Sequence, residues 1–215
     1  MPLRLYLHPL ASYCQKAIIA FYENDVPFEP ILIDLGNAES RAKLTKVWPL
    51  AKFPVLVDTE NDRTVPEATM IIEYLARVYP GKTKLVPTDP ALAERTRLED
   101  RFYDQYVHTP LQKIVADKLR PDDKKDPFGV HEARTMLVTA YDMIDRDMAK
   151  KTWAMGDIFT MADCAAAPPL FFANKLIPLK NAHENVAAYL ARLSERPSVA
   201  RTFREAEPYL KFFPG

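Results

Sequence analysis

Every strand signal in this 215-residue chain lies in its first third. Leu3-Arg4-Leu5-Tyr6-Leu7 alternates as a half-buried strand does. A helix-compatible apolar face, Ile18-Ile19-Ala20-Phe21-Tyr22, follows and ends near Asn24-Asp25. Val26 to Pro30 reads as an extended linker and Ile31 to Leu35 as a second strand. A helix joining two strands makes their pairing parallel, with a right-handed crossover. After a short helical piece, Ser40 to Val47, come a strand at Val55-Leu56-Val57, a polar turn at 60–63 and a return strand at Thr64-Val65. Ile71, Ile72, Leu75, Val78 and Tyr79 then keep the 3.6-residue period of a helix. From Ala91 onward only helical periodicity remains, clearest in Ala133, Met136, Leu137, Ala140, Tyr141, Ile144 and Met148. The long stretch 91–119 is expected to kink at His108-Thr109-Pro110. The order is therefore β-α-β-α-β-β-α over residues 1–81, a Pro-containing linker at 82–90, and an all-α helical bundle over 91–215.

Lysine plus arginine total 29, as do aspartate plus glutamate. No net field recruits nucleic acid or an anionic membrane, and near-zero charge is compatible with self-association. No apolar run approaches membrane-spanning length, and Met1-Pro2-Leu3-Arg4 runs into the first strand without a leader pattern. Cys14 and Cys164 have no Cys-x-x-Cys spacing, and the histidines lack metal-ligand spacing, so neither a disulfide framework nor a metal site is expected. Five glycines form no phosphate-cradling loop. These absences argue against nucleotide kinases, dinucleotide oxidoreductases and zinc hydrolases. A soluble cytoplasmic protein with no metal, no nucleic-acid partner and no membrane partner is expected.

Three stretches remain after that sorting. His8-Pro9-Leu10-Ala11-Ser12-Tyr13-Cys14-Gln15-Lys16-Ala17 is a strand-to-helix turn. A helix start leaves N–H groups unpaired and carries partial positive charge, which favours anions and lowers the pKa of a nearby thiol. A serine there is ordinarily a cap, and a cysteine on a half-apolar face is ordinarily core. Trp48-Pro49-Leu50-Ala51-Lys52-Phe53-Pro54-Val55-Leu56-Val57-Asp58 places a proline at a strand start, where it is tolerated; an X–Pro bond is trans by default. In Gly156-Asp157-Ile158-Phe159-Thr160-Met161-Ala162-Asp163-Cys164, Thr160 and Asp163 have capping-box spacing, and Phe159 and Cys164 are placed as a hydrophobic staple.

Together, in this order and along the whole chain, the three stretches resemble the glutathione S-transferase family, of the bacterial cytosolic type. The first is also similar to the active-site turn of glutaredoxins, with Ala11 standing at the nucleophilic-cysteine position and Cys14 at the second. The resemblance implies an α/β thioredoxin-like N-terminal domain followed by the all-helical C-terminal domain, usually as a homodimer. It implies glutathione as co-substrate, activated as a thiolate that attacks a small hydrophobic electrophile. It implies a cis bond before Pro54, glutathione held by Lys52, Phe53, Pro54, Glu67 and Ala68, and the electrophile met by Leu10, Tyr103, Tyr106 and His108. Ala68 replaces the serine of the family's Glu-Ser pair, leaving its backbone N–H. With Ala11 unable to donate, Ser12 or Cys14 is the thiolate's expected partner. Cys14 would instead suit a glutathione-dependent thiol-disulfide oxidoreductase, and the two alanines would suit a non-catalytic glutathione- or ligand-binding protein. The aromatic tail Tyr209 to Gly215 is expected to cover the core rather than the cleft.

Overall fold

A computed structural model of the chain describes residues 2–179 and 182–214. Four strands form one sheet in the order β2-β1-β3-β4. They are β1 (Leu3–Leu7), β2 (Glu29–Leu32), β3 (Val55–Asp58) and β4 (Arg63–Pro66). β1 pairs β2 in parallel and β3 antiparallel, with Leu5 opposite both Pro30 and Leu56. β3 and β4 form the antiparallel hairpin. The alternation in β1 sets the layers: Leu3, Leu5 and Leu7 are buried, while Arg4 is exposed and pairs with Glu29 at 3.1 Å. Between the strands run α1 (Ser12–Glu23), α2 (Ala38–Val47) and, after β4, α3 (Ala68–Val78).

The second strand lies two to three residues earlier than its apolar run suggests. Pro30 is accommodated because β2 is a sheet edge, where a missing N–H need not face a partner. Asp34 ends the strand by bending the chain: its carboxylate accepts from the Gly36 N–H and its own N–H donates to Ser40 Oγ. Ile33 is still fully buried, beyond the strand proper.

Helices α4 (Pro90–Phe102), α5 (Thr109–Lys118), α6 (Pro127–Met148), α7 (Met161–Leu176), α8 (Glu184–Glu195) and α9 (Pro197–Ala206) complete the chain. The expected kink is a π-helical segment, Tyr103–His108, between α4 and α5. Pro110 has no N–H to donate, and the Thr109 N–H reaches back five residues to Asp104 C=O. The wider turn sends Tyr103 inward, Tyr106 outward and His108 toward α1.

α7 is the central helix, buried along nearly its whole length. Its start is the capping box: Thr160 Oγ1 accepts from the Ala162 N–H at 3.3 Å, and Asp163 accepts from the Thr160 N–H at 2.8 Å. Alanines at 165, 166 and 167 let α1 and α4 approach closely, so one continuous apolar core runs from the sheet through α1 into the helices. A second fastening is polar. Glu23, at the end of α1, accepts from Arg196, Ser198 and Thr83. No helix of the described residues is long and apolar enough to cross a membrane.

Candidate functional site

The turn between β1 and α1 builds the floor of the site. Ala11 is the N-cap of α1 and supplies no side-chain cap, so the first-turn amides of Ser12, Tyr13 and Cys14 have no partner within the helix. Ser12 is the first helical residue and its hydroxyl makes no hydrogen bond among the described residues. The Phe53–Pro54 bond is cis. Phe53 lies beside this turn, its ring stacked near His8 with centroids 6.3 Å apart. Glu67 precedes α3 with φ 69°, a left-handed conformation unusual for a residue with a side chain. It orients the buried Ala68 and the first turn of α3 toward the same opening.

Two cavities meet there. The first, of about 510 Å³, is polar, and Lys52, Phe53, Pro54, Glu67 and Ala68 line it from the sheet side. Arg101, Asp104, Gln105 and Gln112 face them from the helices. The second, of about 440 Å³, is mainly apolar and is lined by Leu10, Ala11, Ser12, His108, Leu111, Val115 and Phe172. Tyr13, Lys52, Phe53 and Gln112 belong to both. A molecule in either cavity therefore approaches the other across the start of α1.

Behind this wall lies an ionic cluster. Lys16 is fully buried in α1, with Nζ 2.7 Å from Asp100 Oδ1, 2.9 Å from Asp104 Oδ2 and 2.8 Å from Thr69 Oγ1. Thr69 in turn donates to Asp100, and Arg101 pairs with Asp104. Burial pushes the Asp100 carboxyl up against the opposing pull of Lys16. The cluster ties α1, α3 and α4 together under the polar cavity. Burial also raises the Tyr13 hydroxyl, and the nearby carboxylates of Asp104 and Glu67 add to it, so the phenol stays protonated.

Of the residues expected at the site, Leu10, Ser12, Lys52, Phe53, Pro54, Glu67, Ala68 and His108 come together around these cavities. Three do not. Cys14 is fully buried, its sulfur accepting from the His8 N–H at 3.5 Å, and burial pushes its thiol up to about 12. It neither reaches the cleft nor supplies a thiolate, which removes the basis for disulfide exchange through it. Tyr103 is sealed in the helical core because the π turn directs it inward, and it lines neither cleft cavity. Tyr106 is turned outward by the same segment, half exposed and packed on Phe102. The tail also departs from expectation. Phe212, Phe213 and Pro214 wall the apolar cavity, with Phe213 held against Phe172 at 4.9 Å and Tyr209 edge-on to His8 at 5.2 Å.

Sequence reasoning overlooked the helical wall. Gln105 and Gln112 carry no local signal. Lys16 does: a charged residue inside an apolar helical run, with two aspartates four apart elsewhere, is the pattern of a buried ion cluster.

Comparisons with known proteins bear on the family and the fold. A family model for "Glutathione S-transferase, N-terminal domain" matches residues 5–83, and one for "Glutathione S-transferase, C-terminal domain" matches residues 123–192. The chain is 24% identical over 189 residues to glutathione S-transferase GstB of Escherichia coli K12, covering 87% of this chain and 90% of that protein. It is 27% identical over 215 residues to a stringent starvation protein A homolog of Coxiella burnetii, covering 98% and 96%. Its fold is similar to that of a glutathione S-transferase from Methylobacillus flagellatus solved with GSH bound. That likeness has a TM-score of 0.86 at 22% identity, over 93% of this chain and 98% of the other.

Proposed function

Because the chain belongs to the glutathione S-transferase family, we propose that it is a glutathione transferase that joins glutathione to a small apolar electrophile. The observation that carries this reading is the meeting of a polar and an apolar cavity at the unpaired amides of α1. Glutathione takes the polar cavity. Glu67 and the Ala68 N–H receive its γ-glutamyl end, the Phe53 backbone pairs with its middle like a strand edge, and Lys52 meets its glycyl carboxylate. The sulfur then lies at the first turn of α1, beside Ser12. The helix dipole and a hydroxyl hydrogen bond stabilise the thiolate relative to the thiol, and the released proton passes to solvent. The electrophile takes the apolar cavity among Leu10 and His108. A sulfur lone pair forms the new C–S bond while the leaving group departs with its electron pair, helped by proximity. The protein acts in the cytoplasm as a homodimer.

Ser12→Ala tests the assignment. With glutathione and a chromogenic aryl halide, kcat is expected to fall by roughly 10- to 100-fold, the worth of a hydrogen bond to a charged group. The KM for glutathione should stay within about threefold, since its other contacts are untouched. An unchanged kcat would remove Ser12 from the mechanism. A second reading, a glutathione-binding protein without turnover, is favoured by Ala11 and Ala68, which lack the donors usual at those positions. It would be supported by calorimetric binding of glutathione with no conjugation by the unmodified protein.

A further inference from the structure

Gln15 is 1% exposed and sits among Cys14, Ala17, Ile18 and Ile19, all buried. Its amide is only half satisfied. Nε2 donates to the Pro9 C=O at 2.8 Å, while Oε1 is sealed without a partner among the described residues. A methionine would fill the same space and leave no buried acceptor unpaired. A polar group kept where an apolar one packs better has a reason beyond packing. Here the reason lies in what Nε2 holds.

The turn from β1 into α1 is closed by the Ala11 N–H, which donates to the His8 C=O at 3.0 Å. Pro9 and Leu10 are its two central residues. The peptide joining them is gripped at both ends. Gln15 Nε2 takes its oxygen, and His8 Nδ1 accepts its N–H, that of Leu10, at 3.2 Å. The Gln15 backbone N–H also bonds the Ala11 C=O, at 2.9 Å. Ser12 and the unpaired amides of the first helical turn follow directly from this turn. Gln15 itself lines neither cleft cavity.

We propose that Gln15 is a positioning residue for the thiolate: by clamping the Pro9–Leu10 peptide it aims the Ser12 hydroxyl and the first amides of α1 at the sulfur. The assignment rests on the reading of this turn as the place where the glutathione sulfur lies. A hydrogen bond weakens steeply as its donor leaves the line to the acceptor. A turn free to librate therefore gives up part of the thiolate's stabilisation, while the two ends of the tripeptide stay with Lys52, Glu67 and Ala68.

Gln15→Met keeps the volume and removes the donor. The pKa of the glutathione thiol in the complex is read from the ultraviolet absorbance of the thiolate, titrated from pH 5 to 9. It is expected to rise by roughly one unit in the variant, a tenfold loss in the thiolate-to-thiol ratio at a given pH. Glutathione affinity at pH 5, where the thiol form binds, should stay within about threefold, since the ends of the tripeptide are untouched. The urea midpoint should change little, because the lost hydrogen bond is offset by removal of the orphaned acceptor. An unchanged thiol pKa in the folded variant overturns the proposal, whatever the midpoint does. Should the variant not fold, hydrogen exchange in the unmodified protein decides. The Gln15 side-chain amide is expected to exchange at least roughly threefold more slowly with glutathione bound, as turn and ligand steady each other; equal rates refute the clamp. An unmodified protein that binds no glutathione, or binds it with the thiol's ordinary pKa, ends the thiolate reading and the clamp together. A lowered pKa that Gln15→Met leaves in place ends the clamp alone.

Discussion

Ser12 and Cys14 stand two residues apart in α1 and point to opposite sides of it, because two residues advance a helix by about 200°. Cys14 shares its face with Ile18 and Phe21, both buried, while Ser12 opens on the apolar cavity. Helical spacing alone therefore separates the residue that can meet a thiol from the one that cannot. With its thiol pushed up to about 12 and no exposed surface, Cys14 is expected to resist iodoacetamide in the native protein and to react fully in denaturant. Cys14→Ala should retain conjugation within about twofold, since a group remote from the reacting atoms contributes no differential binding. Rapid native alkylation with parallel loss of activity would restore Cys14 to the site. The near wall of the cleft, from Leu10 to Ser12 and from Lys52 to Pro54, was legible because those residues follow each other along the chain. Arg101, Asp104 and Gln112 were not. They reach the site only through the packing of α4, the π segment and α5 against α7, which α1 also covers, and no local pattern marks which face of a solvated helix turns inward.

The cap of α7 was also legible, since a capping box is written in four consecutive residues; losing the Thr160 hydroxyl should cost about 1 kcal/mol. Less legible was how much else converges on its acidic member. Asp163 accepts from the Ala154 N–H at 2.8 Å and from the Tyr189 hydroxyl at 2.6 Å, besides Thr160. Burial raises its carboxyl to about 6 despite these hydrogen bonds. Between pH 3.8 and about 6 the folded chain thus keeps a proton that the unfolded chain has released. Stability from this group therefore falls as pH rises through that window. His108 has the opposite sign. Lowered from 6.5 to about 4, it is neutral in the fold where the unfolded chain is charged, so its contribution rises with pH. Asp163→Asn deletes only the falling contribution. The variant, weakened overall by lost acceptors, is expected to gain stability more steeply than the unmodified protein between pH 4 and 6. Urea denaturation at pH 4, 5 and 6 measures the slopes, and parallel lines would refute the assignment.

The order of strands and helices was readable because period 2 and period 3.6 do not mix in this chain. The closure of the cleft was not, because the tail's aromatics fit a core and a cavity wall equally well; Phe172 beside the opening decides where Phe213 packs. What the fold leaves uncovered bears on assembly. Leu50 is 67% exposed, Met70 54% and Leu98 68%. Met70 lies one turn before Glu73, whose carboxylate receives the Arg97 guanidinium at 3.0 Å, and Leu98 follows Arg97. The α3–α4 face thus combines apolar side chains with paired charges, as self-association surfaces do. Met70 also lines the polar cavity, so a partner seated on this face would border the glutathione site. In a homodimer built this way, Leu98→Glu places like charges across the two-fold and separates the protomers. Light scattering is expected to give twice 24.6 kDa for the unmodified protein and 24.6 kDa for the variant. The glutathione KM should rise in the variant as the cavity loses that border, while the far-UV circular dichroism is unchanged. A monomeric unmodified protein at tens of micromolar would defeat the dimer. A dimer indifferent to Leu98→Glu would move it to another face.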